Sequence, residues 1–250
     1  MYAVITREID AASPYVAALA GLGLEALAMP VTCTAPAGDP EELARAVARG
    51  GYAAIVVASA RAAAALAEAV RASGAGDAVL AEVWAVGPAT ARALAAAGIA
   101  AHVPDGARDA ASLAQALVAE RAVAGRCVLV PRAEGGRDEA IAALRAAGAE
   151  VEAVVAYRTV PAAADDPGLA AGLAALRGGA VGVCAVFAPS QVAALDALFE
   201  IRRIAAPFAA IGETTAAALR AAGARVVAVA EAPTPEGLAK AVSAVYPRRS

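Results

Sequence analysis

One phrase is written twice in this chain, and its spacing limits the folds available. The first copy is Val86-Gly87-Pro88-Ala89-Thr90-Ala91-Arg92-Ala93-Leu94, followed by Ala97-Gly98. The second is Ile211-Gly212-Glu213-Thr214-Thr215-Ala216-Ala217-Ala218-Leu219, followed by Ala222-Gly223. Gly87 and Gly212, Thr90 and Thr215, Leu94 and Leu219, and Gly98 and Gly223 are each 125 positions apart, half of the 250 residues. In each copy an apolar run meets a glycine, and an alanine-rich stretch of helical period begins directly behind it. That pattern is a strand running into a helix N-terminus.

The register persists along the chain. Arg7 matches Arg132; Leu19, Gly23 and Glu25 match Leu144, Gly148 and Glu150; Thr34 and Pro36 match Thr159 and Pro161; Leu113-Ala114 matches Leu238-Ala239. One piece slips: Ala53 to Val57 aligns with Gly182 to Val186 at a spacing of 129, as a short insertion would leave it. Alanine-rich sequences align with themselves by chance, so the non-alanine matches carry the weight. They predict an internal duplication.

Each copy alternates strands and helices. Predicted strands lie at Tyr2–Thr6, Leu24–Met29, Ala53–Val57, Val83–Val86 and Ala101–Val103, and again at Cys127–Val130, Val151–Tyr157, Val181–Phe187, Phe208–Ile211 and Val226–Val229. The second strand is expected to run on through Pro30 to Pro36. Helices are expected at Asp10–Leu22, Pro40–Ala48, Ala60–Ala72, Ala89–Ala97 and Ala110–Val123, with partners through the second copy that end in a helix opened by Thr234-Pro235. Ser59 and Asp109 stand where N-caps should be. The strands are continuous apolar runs rather than alternating ones. They predict an α/β chain of two similar doubly wound parallel-sheet lobes.

Several classes fall away. The hydrophobic fraction of 60% looks membrane-like, but alanine inflates it. The longest uncharged stretch, Gly178 to Leu195, is interrupted by Gly182, Pro189, Ser190 and Gln191 and reads as a strand followed by a helix. No membrane span or secretory signal is expected. Cys33, Cys127 and Cys184 are odd in number and widely spaced, which fits a reducing cytoplasm and suggests neither a disulfide framework nor a zinc site. A net charge of −3 argues against nucleic-acid partners. The lone His102 has no Cys or second His near it and reads as a surface residue. Gly21-Leu22-Gly23-Leu24-Glu25-Ala26 mimics a dinucleotide fingerprint, but it falls between a helix and the next strand, the reverse of the required order.

What remains points to an anion. Parallel sheets bind ligands beyond the carboxyl ends of their strands, where helix N-termini present unpaired N–H groups. Gly87 and Gly212 lie at such ends, with Ser59, Thr90, Thr214 and Thr215 adding hydroxyls. The alternative for each Ser or Thr is a simple helix cap. Arg7 and Arg132 sit at strand ends, Arg61 lies two residues past Ser59, and Arg158 follows Tyr157; each reads equally as a solvated charge. Tyr157 could donate a proton or pack as an aromatic.

In order along the chain stand Thr6-Arg7, Ser59-Ala60-Arg61, Val86-Gly87-x-x-Thr90-Ala91 and Val154-x-x-Tyr157-Arg158. Phe187-Ala188-Pro189-Ser190, Ile211-Gly212-x-Thr214-Thr215-Ala216 and Pro233-Thr234-x-x-Gly237-Leu238 complete the series. With these motifs the chain resembles the uroporphyrinogen-III synthase family over essentially its whole length. The resemblance implies two lobes joined by a two-stranded linker: residues 1–30 plus 163–250 as one, 37–154 as the other, and 31–36 and 155–162 as linker strands. It implies a cyclising hydro-lyase of heme and porphyrin biosynthesis, cytoplasmic and monomeric, needing no metal or organic cofactor. Its small-molecule substrate is a linear tetrapyrrole poly-carboxylate, hydroxymethylbilane, which loses water and closes with inversion of the last ring. Hand-over from hydroxymethylbilane synthase is an expected partnership. The family's tyrosine that helps the hydroxyl leave falls on Tyr157, and its cleft threonine on Thr215 beside Thr214. Arg7, Ser59, Arg61, Gly87, Thr90, Ser190 and Gly212 join them as expected substrate contacts. Two positions depart from the pattern, Ala188 where a hydroxyl is common and Glu213 where proline is frequent. The rival reading is a two-lobed small-anion binding or regulatory module of the same fold without catalysis.

Overall fold

A computed structural model describes residues 1–9, 13–74 and 81–246. The expected helix start at Asp10 lies outside the described residues. The chain divides into two compact units: unit 1 comprises Met1–Cys33 and Val160–Ser250, and unit 2 comprises Thr34–Thr159.

Unit 1 is built on β1 (Tyr2–Ile5), β2 (Glu25–Ala28), β9 (Val181–Val186), β10 (Phe208–Ala210) and β11 (Val227–Val229), in sheet order β11-β10-β9-β1-β2. All four pairings are parallel. Alternate residues feed opposite faces, as the period of two requires. Val4, Cys184, Val186 and Phe208 pack under α7 (Pro167–Arg177), α8 (Pro189–Phe199) and α9 (Glu213–Ala221). Ala3, Ile5, Val183 and Ala209 pack under α1 (Pro14–Ala20) and α10 (Pro235–Val245).

Unit 2 repeats the design with β3 (Thr32–Pro36), β4 (Ala54–Val57), β5 (Glu82–Ala85), β6 (Ala101–His102), β7 (Cys127–Ala133) and β8 (Glu150–Pro161), ordered β3-β8-β7-β4-β5-β6. Ile55, Val57, Val83 and Leu129 face α2 (Glu42–Arg49), α3 (Ala60–Ser73) and α4 (Gly87–Ala95). Val56, Trp84, Val128 and Val130 face α5 (Ala110–Glu120) and α6 (Glu139–Ala146). Helices on both faces explain why these strands carry no polar alternation.

The repeat register maps β1, β2, β9, β10 and β11 onto β7, β8, β4, β5 and β6. Under that pairing the five matched strands have the same order in both sheets, and β3 is an extra edge strand beside β8. The unit 1 sheet draws β1 and β2 from the first half of the sequence and β9, β10 and β11 from the second; the unit 2 sheet draws β3, β4, β5 and β6 from the first half and β7 and β8 from the second.

One expectation is corrected. The strand after Leu24 does not run through to Pro36: it ends at Ala28, and β3 starts afresh at Thr32 in the other sheet. Pro30 has no N–H to donate to a ladder and restricts Met29 before it. The Met29 N–H still reaches the Ile5 carbonyl at 2.8 Å, whereas the Val31 carbonyl accepts from Ala162 N–H at 2.9 Å. β8 stays a single strand through Tyr157 to Pro161.

Candidate functional site

The carboxyl edge of the unit 2 sheet meets the starts of α3, α5 and α6. Ser59 ends the turn after β4 in extended conformation and caps α3, its Oγ accepting from Ala62 N–H at 3.0 Å. Asp109 caps α5 through a reciprocal box with Ser112. The Ser112 N–H, and then its hydroxyl, hold the Asp109 carboxyl below the usual carboxylate range, and the charge of Arg137 acts in the same sense.

These starts border a cavity of about 600 Å³ lined by Ser59, Tyr157, three arginines (Arg108, Arg132 and Arg137) and two acids (Asp109 and Glu139). Tyr157 projects from β8, and its hydroxyl lies 3.1 Å from Ser59 Oγ, so two residues 98 apart in sequence share one hydrogen bond. Arg132, at the end of β7, is clasped by Asp138 and the Gly136 carbonyl. Arg108 and Arg137 form no ion pair among the described residues.

Sequence reasoning missed Arg108 and Arg137, yet it held a usable signal. Arg108 immediately precedes the cap of α5, and Arg137 immediately precedes Asp138 at the start of α6. A cation at a helix N-terminus opposes the macrodipole. An arginine placed there twice around one cavity makes sense if a negative ligand joins it.

Tyr157 also borders a second cavity of about 550 Å³, alongside α2 and α3, where Arg61 stands. That one carries Asp39, Glu41 and Glu68 among alanines, and Arg45 binds Asp39. With three acids to one arginine it suits a poly-anion less well than the first cavity, where arginines outnumber acids.

The edge of unit 1 is chemically different. Thr6 is fully buried, with its Oγ1 2.8 Å from Gln191 Oε1 and 3.0 Å from the Ala185 carbonyl. The same Gln191 oxygen accepts from Phe187 N–H at 2.9 Å. The exposed Arg7 lays its guanidinium 5.3 Å from the centre of the Phe187 ring, which meets Tyr15 edge-on. Ser190 and Thr214 are exposed in the first turns of α8 and α9. Ala188, the N-cap of α8, offers no side-chain acceptor to the helix. Glu213, the other departure, pairs with Arg220 at 2.6 Å.

The cap alternative separates the hydroxyls. It describes Ser59, but α4 and α9 are capped by Val86 and Gly212 without side-chain bonds, so Thr90, Thr214 and Thr215 cap neither helix. Thr90 and Thr215 occupy equivalent places and are both buried. Gly87 has φ +71, the left-handed region in which a side chain is strained, whereas Gly212 at φ −176 is ordinary extended backbone. Gly87 and Thr90 begin α4 but line neither cavity.

His102 meets Trp84 with ring centres 4.3 Å apart and brings Nε2 to 3.2 Å from Glu120. Among the described residues no group of three or more His, Cys, Asp or Glu could hold a metal ion. No described helix is long and apolar enough to cross a membrane.

Residues 13–240 match the family described as uroporphyrinogen-III synthase HemD. No curated protein matches the sequence. Among solved structures, the chain is similar to a mutant uroporphyrinogen III synthase from Thermus thermophilus, with 24% identity, 98% of each chain covered and a TM-score of 0.51. It is also similar to uroporphyrinogen-III synthetase from Helicobacter pylori, with 16% identity, 96% of this chain and 97% of that one covered, and a TM-score of 0.58. At these identities the two structures speak to the fold.

Proposed function

Because the chain belongs to the uroporphyrinogen-III synthase family, we propose that it dehydrates and cyclises hydroxymethylbilane to uroporphyrinogen III, with inversion of the last pyrrole ring. The observation that carries this reading is the Ser59–Tyr157 hydroxyl pair in the wall of an arginine-lined cavity. The cavity supplies a proton donor and cationic contacts for a substrate that bears carboxylates and must lose a hydroxyl.

The chemistry asked of the protein is modest. The pyrrole nitrogen lone pair drives out the hydroxyl, so the main barrier is conformational: the chain must be held folded with its ends close. Arg108 and Arg137 hold carboxylates, and the N–H groups opening α5 and α6 add neutral donors. Tyr157 protonates the departing oxygen, which leaves as water with the C–O bonding pair. Closure with inversion breaks the bond between the last ring and its preceding methylene, re-forms it at that ring's other α-carbon, and releases one proton, which restores the phenol. We assign carboxylate contacts on unit 1 to Arg7, Ser190, Thr214 and the N–H groups following Gly212. Thr215 and Thr90, being buried, contribute by fixing the turns that aim those groups. Arg61 serves from the second cavity beside Tyr157.

The test is isomer analysis of porphyrin formed when hydroxymethylbilane is generated in situ with the protein present. Predominantly type III product supports the reading. Type I alone, the spontaneous product, from a folded sample overturns it.

A further inference from the structure

We propose that Ser59 is a positioning residue for Tyr157, donating its hydroxyl proton to the phenolic oxygen so that the phenol's own proton faces the cavity. The proposal rests on the synthase reading above and adds a role that capping alone does not require.

The geometry leaves two arrangements for the pair. Ser59 Oγ has two lone pairs and one proton. One lone pair takes the Ala62 N–H at 3.0 Å. Across the 3.1 Å contact, either Tyr157 donates to the remaining lone pair or Ser59 donates to Tyr157. In the first arrangement the phenolic proton is tied up against the helix. In the second it is free for an acceptor in the cavity, and an oxygen about to leave is such an acceptor.

The second arrangement also serves the step that follows. As Tyr157 gives up its proton, charge develops on the phenolic oxygen. A hydrogen bond to an ionised group is about twice as strong as one between neutral partners, so the Ser59 O–H grips harder as the transfer proceeds. The N–H end of α3, fixed by the same serine, lies on the favourable side of that charge. Ser59 therefore stabilises the transition state more than the ground state, which raises kcat and leaves KM largely alone.

The experiment measures kcat and KM for type III formation in Ser59→Ala, Ser59→Gly and Ser59→Thr, each in the parent and in Tyr157→Phe. Ser59→Gly retains most of the capping free energy and guards against a folding artefact, checked by circular dichroism. We expect Ser59→Ala and Ser59→Gly to lower kcat about tenfold with KM little changed, and Ser59→Thr to restore most of the loss. In the Tyr157→Phe background the Ser59 substitutions should add nothing further, because the hydroxyl they act through is gone. Parent-like kcat in folded Ser59→Gly, or equal losses in both backgrounds, would overturn the positioning role while type III product still upheld the synthase reading. Type I product alone from the parent protein would overturn both.

Discussion

The two units share a strand order but not a rim. In unit 2 the turn after β4 ends in Ser59, which caps its helix and reaches Tyr157. At the equivalent place in unit 1, 129 residues on, Ala188 caps α8 without a side-chain bond. Arg132 lines a cavity in unit 2, whereas its counterpart Arg7 lies over Phe187. Where unit 2 has Pro131 beside its arginine, unit 1 has Thr6 buried against Gln191. A sheet and its crossovers can thus keep one design while the loop residues beyond the strands differ, since those residues carry little of the core. The two rims differ at a small number of positions, and the proposed chemistry rests on these.

The proposed mechanism puts proton transfer on unit 2, and it breaks if the wrong unit proves essential. Tyr157→Phe should lower kcat for type III formation about a hundredfold, with a loss of stability of no more than about 1 kcal/mol, since the ring is kept and only the hydrogen bond to Ser59 is lost. Arg7→Ala should act mainly on KM. The same contrast can be tested at the last helix of each unit. Ser112 in α5 completes a capping box; its counterpart Gly237 in α10 sits where an added Cβ would lie 2.2 Å from the Ala232 carbonyl oxygen. Exchanging them should be lopsided. Gly237→Ser forces backbone apart and should cost about 3 kcal/mol, whereas Ser112→Gly loses only exposed bonds of its hydroxyl, to Arg108 N–H and to Asp109, and should cost about 1 kcal/mol, both read from denaturant melts.

The repeated phrase carried more fold information than any local pattern, because equivalent positions report on one another. The α/β layering was legible in runs such as Ala54–Val57 and Val181–Val186, buried on both faces and apolar throughout. The break at Pro30 was harder to read. Prolines there looked like fences around one strand, and only the two separate sheets show that the chain changes partners between Ala28 and Thr32. The site was legible as motifs but not as a constellation. Ser59 and Tyr157 were each visible, yet their contact depends on β8 and β4 flanking β7 in one sheet. Arg108 and Arg137 are brought to one cavity by the packing of α5 beside α6, which no spacing along the chain encodes.

Smaller effects sharpen the comparison. The matched glycines look interchangeable in sequence, but Gly87 lies at φ +71 and Gly212 at φ −176. An added Cβ would meet nothing within 4 Å at either site, so backbone conformation alone separates them. Gly87→Ala should cost about 1 to 2 kcal/mol for forcing a side chain into the left-handed region. Gly212→Ala should stay within about 0.5 kcal/mol. Equal costs would mean that the two turns are alike after all.

The cap asymmetry gives the last and smallest effect. Ala188 already holds extended dihedrals, φ −156 and ψ 153, close to those of Ser59 at φ −162 and ψ 158. A serine there needs no backbone change to accept from the first turn of α8. Ala188→Ser should therefore stabilise the protein by about 1 kcal/mol, and Ser59→Ala should lose a similar amount. If Ala188→Ser is neutral, the first-turn N–H groups of α8 already have their partner in solvent, and the two rims differ less in stability than their caps suggest. If it stabilises as expected but weakens substrate binding, those same N–H groups are ones the ligand uses. An alanine at that position would then keep them open for it.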